Sequence, residues 1–137
     1  MRYTLFLHYQ EMTTDDLGEE AMEEGKAAFH AYTKALDDAG VLVSAEVLQP
    51  SPNSTTLTMA DGKLQVQDGP YADTKEQIGG TFVIDVPDLD AALAWAEKCP
   101  AAQWGTVEIR PSSVRFVDGQ WTAVAPTESL PQHLRSL

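Results

Sequence analysis

The chain has 137 residues, of which 43% are hydrophobic, enough for one sizeable core and too few for two ordinary domains. A formal net charge of −12 repels polyanions from most of the surface, which argues against nucleic acid and anionic membranes as partners. No charged start leads into an apolar run, and no apolar segment approaches the ~20 residues that span a bilayer, so a cytoplasmic protein is expected.

Tyr3, Leu5 and Leu7 alternate with Thr4, Phe6 and His8, which predicts a first strand with apolar residues on both faces. Thr13, Thr14, Asp15 and Asp16 supply caps and first-turn acids for a helix. Its apolar stripe is Ala21, Ala28, Phe29, Tyr32 and Leu36, its wet face carries Glu19, Glu20, Glu23 and Glu24, and Gly40 ends it. From 41 to 48 the period is two again, with Val41, Val43, Ala45 and Val47 on one face and Leu42, Ser44, Glu46 and Leu48 on the other. The runs from Thr55 to Met59 and from Leu64 to Gln67 flank Asp61-Gly62, a strong hairpin signal. Gly79 and Gly80 then predict a bulge or a close backbone approach before a strand over 81–86. Asp88 caps a second helix carrying Leu89, Ala92, Leu93 and Ala96, which Pro100 stops. The single cysteine, Cys99, can make no internal disulfide and reads as a half-buried structural residue at that helix end. A last core strand covers 106–110. Val114 to Phe116, Asp118-Gly119 and Trp121 to Val124 suggest one more hairpin, and a polar tail runs on from Pro126.

Two helices interleaved with strands in the order β, α, β, hairpin, β, α, β are the pattern of a ferredoxin-like α+β sandwich, with both helices on one face of an antiparallel sheet. Phe6, Leu42, Leu48 and Ile84 would then lie uncovered on the opposite face. The expected remedy is a homodimer that stacks sheet on sheet and encloses a cavity.

The candidate site centres on the loop from Asp68 to Glu76, where Gly69-Pro70 makes a rigid corner surrounded by a phenol, a hydroxyl, an ammonium and several carboxylates. Glu46 points toward the expected cavity, Asp68 leaves the hairpin at its mouth, and His8 ends the first strand on the face of Phe6. Two carboxylates and an imidazole around one hollow suit general acid and base catalysis on a small organic molecule, of isomerase or lyase type. Thr74 and Lys75 are candidates for holding a substrate carboxylate, and Tyr71 for stacking on it. Each has a plainer alternative: Asp68 caps a turn, His8 is a satisfied strand-end residue, Glu46 pairs with Lys75 or Arg110, and Tyr71 packs. No metal-ligand spacing, phosphate-cradling glycine motif or nucleophile motif is present, and no cofactor is expected. The rival class is a non-catalytic dimer that senses a ligand.

Several stretches together resemble the DGPF branch of the YCII-related family. They are Met1-Arg2-Tyr3, Ala39 to Val43 leading to Glu46, Asp68-Gly69-Pro70-Tyr71 continuing to Gln77 and Gly79-Gly80, Asp85 to Ala92, and Val107 to Pro111. The commoner family spelling has Phe at Tyr71 and Glu at Asp73. The resemblance covers residues 1–111 and implies a ferredoxin-like, dimeric α+β barrel; residues 112–137 extend past it. Better studied members are similar in fold to muconolactone isomerases and have been proposed to use a His and Asp pair, with the His in the first helix. Phe29 stands at that position here, beside His30, so the pair does not transfer simply. Similarity to proteins encoded beside, or fused to, extracytoplasmic-function sigma factors implies such a factor as a partner to consider.

Overall fold

The computed structural model describes residues 1–124, so the tail from Pro126 lies outside the described residues. In chain order these form β1 (Arg2–Tyr9), α1 (Thr14–Leu17), α2 (Glu19–Asp38), β2 (Leu42–Val47), a 3-10 turn (Ser51–Asn53), β3 (Thr55–Ala60) and β4 (Lys63–Asp68). Next come β5 (Gln77–Asp85), α3 (Leu89–Glu97), α4 (Ala101–Trp104), β6 (Gly105–Pro111), β7 (Val114–Val117) and β8 (Gln120–Ala123). Strands β2, β5, β1 and β6 lie in that order in one antiparallel sheet, while β3–β4 and β7–β8 are separate hairpins. With the β3–β4 insertion set aside, the βαββαβ order of a ferredoxin-like α+β fold remains. Both hairpins turn on the Asp-Gly pairs read from the sequence, with φ of 52° and 74° at Asp61 and Gly62 and 52° and 76° at Asp118 and Gly119. Positive φ at both central residues is the type I′ turn, whose twist matches that of the flanking strands.

The core lies between the sheet and the helices. Tyr3, Leu5 and Leu7 alternate inward along β1, Phe82 and Ile84 join them from β5, and Tyr32, Leu36, Ala92 and Ala96 come down from α2 and α3. Tyr32 sets its ring edge against Phe82 at 5.3 Å and donates its hydroxyl to the Trp95 carbonyl at 2.8 Å, tying both helices to the sheet. On the wet side of α2, the Lys26–Glu23 and Lys34–Asp38 pairs are exposed and contribute roughly 0.3–0.5 kcal/mol each. Burying Leu36 contributes about 1.5–3 kcal/mol, so packing rather than surface charge holds this acidic helix in place.

Several expectations change. The first helix is two helices, because Gly18 interrupts it after the Thr13–Asp16 capping box. Ala21 and Ala28 are exposed, and the inward stripe of α2 runs instead through Met22, Phe29, Tyr32 and Leu36 at the true helical period. Cys99 is fully buried rather than half-buried, and with Ala101 of α4 it fills space beside α3, whose Leu89 and Leu93 stay half-exposed. Ile84 and Leu42 do not belong to the open sheet face. Ile84 is fully buried on the helix side because it alternates with Phe82 and pairs with the inward Tyr3, and Leu42 joins it there because the β2–β5 register slips between Leu42 and Ser44.

The far end of β1 is gripped from both sides. Leu7 faces Gly80 and His8 faces Ile78, so Gly79 is an extra residue in β5, the bulge that the paired glycines implied. A Cβ on Gly79 would run into the Tyr9 ring, and one on Gly105 into the His8 carbonyl. The Tyr9 ring in turn meets the edge of Trp104 at 5.3 Å. Gly105→Ala therefore lowers stability by about 1–3 kcal/mol through forced backbone displacement. Gly25→Ala, in open space on α2, raises it by roughly 0.5–1 kcal/mol. Urea unfolding followed by circular dichroism checks both signs.

Candidate functional site

The face of the sheet away from the helices carries the site. Antiparallel register sets Thr4, Phe6 and His8 of β1 beside Arg110, Glu108 and Thr106 of β6. On its other side β1 meets Val83, Thr81 and, past the bulge, Ile78 of β5. One charged row results. His8 Nε2 lies 3.0 Å from Glu108 Oε1, and Arg110 Nη2 donates to Glu108 Oε2 at 2.6 Å. The Arg110 guanidinium also sits 5.7 Å from the centre of the Phe6 ring. Arg110 first, and His8 second, hold the Glu108 carboxyl below its ordinary range. An ionised Glu108 can only accept, so the neutral imidazole donates from Nε2 and keeps its lone pair on Nδ1.

His8 opens onto a groove of about 1310 Å³, which the loop after β4, the Ser51–Asn53 turn, Leu48 and Ile78 also line. Backbone and side-chain bonds fix the loop. Gly69 N donates to the Ser54 carbonyl at 2.8 Å and Thr56 Oγ1 to the Gly69 carbonyl at 2.8 Å. Gln77 Nε2 donates to the carbonyls of Ala72 at 2.8 Å and Thr74 at 3.1 Å. Across the groove, both Glu11 carboxylate oxygens accept from Ser51 N, at 2.9 and 3.1 Å, and so pin the 3-10 turn that forms the other wall. The groove thus has a floor on the sheet and two braced walls.

Of the six residues singled out from the sequence, the groove brings together His8, Tyr71, Thr74 and Lys75. Tyr71 is 92% exposed, so its ring is presented to solvent rather than packed. Thr74 Oγ1 donates to the Glu76 carbonyl at 2.5 Å, which commits its proton to loop structure. Lys75 pairs with no carboxylate among the described residues. Glu46 is exposed on the open sheet face opposite Thr81, and Asp68 ends β4 opposite Thr55; neither lines the groove. The partnership considered between Glu46 and Arg110 gives way to Arg110 with Glu108. Glu108 and Arg110 were not among the residues singled out. Their signal was the alternation Thr106, Glu108, Arg110 in a strand that must pair antiparallel with β1. Among the described residues, no three His, Cys, Asp or Glu side chains converge as a metal site.

The YCII-related domain model matches residues 1–114, most of the chain. The chain belongs to the YCII-related family. An uncharacterized protein of Rhizobium meliloti (strain 1021) is 33% identical over 113 residues, covering 81% of this chain and 91% of its relative. The matched YCII-related segment contains the whole four-stranded sheet, the β3–β4 hairpin and the groove, so the charged row lies within the family domain rather than in an appendage.

The Glu108 shift ties this row to stability. Its carboxyl titrates lower in the folded state than in the unfolded chain, where about 4.3 is usual. Its contribution is therefore complete above that unfolded value and is lost as pH falls through the folded one. Urea midpoints of the wild type and Glu108→Gln differ most near neutral pH and converge toward pH 3, with the wild type the more stable where they differ.

Proposed function

We propose that this YCII-related domain binds a small organic anion in the groove and moves a proton on it, acting as a homodimer. The observation that carries this reading is the 3.0 Å contact between His8 and an ionised Glu108 at the groove floor. Glu108 fixes the ring so that Nδ1 is the base, and as the ring becomes an imidazolium the carboxylate stabilises the new charge. Glu108 is a positioning residue; His8 is the group that meets the substrate. Lys75 supplies a positive charge on the loop wall, suited to a substrate carboxylate, in a chain whose overall charge would otherwise repel an anion. Leu48 and Ile78 offer an apolar seat for the carbon skeleton, and the exposed Tyr71 ring is free to fold over it. In a homodimer that stacks open sheet faces, Glu46 also fronts the shared cavity.

A second reading, ligand sensing without turnover, is favoured by a groove open to solvent and by the exposure of Tyr71, since proton transfer profits from exclusion of water. The two readings separate in one experiment. A panel of unsaturated and β-keto carboxylic acids is titrated in deuterated water, with amide shifts reporting binding and substrate resonances reporting deuterium uptake. The proposal predicts binding at loop 70–76 and exchange on at least one acid. Lys75→Ala weakens binding by about tenfold, the effect of ~1.4 kcal/mol. His8→Gln lowers exchange roughly 10²–10⁴-fold while leaving binding nearly unchanged. Binding without exchange in the wild type establishes the sensing role, and absence of binding across the panel contradicts both.

A further inference from the structure

The groove and the charged row leave one prominent feature without a role. Leu57 pairs with Val66 and Met59 with Leu64, so all four side chains stand on one face of the β3–β4 hairpin. They are 61%, 56%, 61% and 59% exposed, respectively. Thr56, Thr58, Gln65 and Gln67 occupy the other face, which makes the ribbon amphipathic with its apolar side in water. Among the described residues, no other helix or strand packs broadly against it. A lone two-stranded ribbon is marginal in water, and a contiguous aliphatic patch on a soluble protein marks a contact surface.

We infer that this face of the β3–β4 hairpin packs on a second copy of the chain, as an arm that extends the interface made by the open sheet face. The inference rests on the homodimer put forward above and adds a surface to it. Area selects the occupant. Two six-residue strands present a face of about 20 by 10 Å, and the four-stranded sheet, with strands of six to nine residues, one of about 25 by 19 Å. Neither reaches the ~800 Å² that each partner gives to a stable interface, whereas the two together, with their side chains, approach it. They are also continuous, because Thr55 and Thr56 at the arm's base share the groove lining with His8, Leu48 and Ile78 of the sheet face. Charge agrees with a like partner. Copies carrying −12 each repel over most of their surfaces, but the four positions of this patch hold no charge. In a two-fold pair each arm then meets the partner reciprocally and narrows the groove mouth.

The test is sedimentation of the full chain as wild type, as Met59→Glu with Val66→Glu, and as Phe6→Glu on the sheet face. Both hairpin positions are exposed in the single chain, so the double variant keeps the folded circular-dichroism spectrum of the wild type. The inference predicts a dimeric wild type and a rise of at least ~100-fold in the dissociation constant of the hairpin double variant. A photo-crosslinking residue in place of Leu64, in a mixture of unlabelled and isotope-labelled protein, then joins one copy to another. A hairpin variant that stays dimeric while Phe6→Glu dissociates overturns the arm and leaves the homodimer standing. A monomeric wild type, or crosslinks confined within one chain, overturns the arm as well, and the monomer removes the homodimer with it.

Discussion

The structure depends on how β1 is clamped between β5 and β6. Its inward residues, Tyr3, Leu5 and Leu7, make the middle of the core, and its outward residues make the middle of the site. At the end near His8 and Tyr9, β6 approaches so closely that a side chain at Gly105 would meet the His8 carbonyl, while one at Gly79 would meet the Tyr9 ring. This contact fixes His8 opposite Thr106 in β6, two residues along that strand from Glu108 on the same face. A slip of one residue would turn the imidazole into the core and Leu7 into the groove. Core packing and site geometry are therefore set by the same register.

The proposed chemistry follows from a short chain of charges. Arg110 anchors one oxygen of Glu108 and His8 meets the other, so the carboxylate is fixed at two points. The row is partly exposed, and the solvent-screened pairs in it add little to folding. Their value lies in orientation: a ring held through one nitrogen presents the other in a defined direction. On the proposed reading, the acidic surface of the chain leaves Lys75 on the groove wall as the point where an anion is held.

Much of the fold was legible because its signals are local. Period-two alternation in β1 and β5, the Asp88 cap, and the two Asp-Gly turns each follow from the chemistry of a few neighbouring residues. The loop after the hairpin drew attention by composition, and four of the six residues named there and on β1 and β2 do line one groove. What composition could not reveal was register. The slip between Leu42 and Ser44 moved Leu42 to the core side, the pairing of Ile84 with Tyr3 set it there too, and the antiparallel pairing of β6 brought Glu108 to His8 from 100 residues away, with Arg110 beside it. Glu46 and Asp68 attracted notice as isolated carboxylates, yet a carboxylate acquires its role from its partners, which lie elsewhere in the sequence. Tyr71 is a milder case, since an aromatic ring in a loop reads as packing until its surroundings are known.

The central claim is that Glu108 holds His8 in the tautomer with its proton on Nε2 and its lone pair on Nδ1. Long-range proton–nitrogen correlation of the His8 ring, recorded at alkaline pH where the imidazole is neutral, reads this directly. The account predicts a protonated Nε2 and an unprotonated Nδ1 in the wild type, with loss of that preference in Glu108→Ala. A ring protonated at Nδ1, or a tautomer unchanged by removing Glu108, would contradict it.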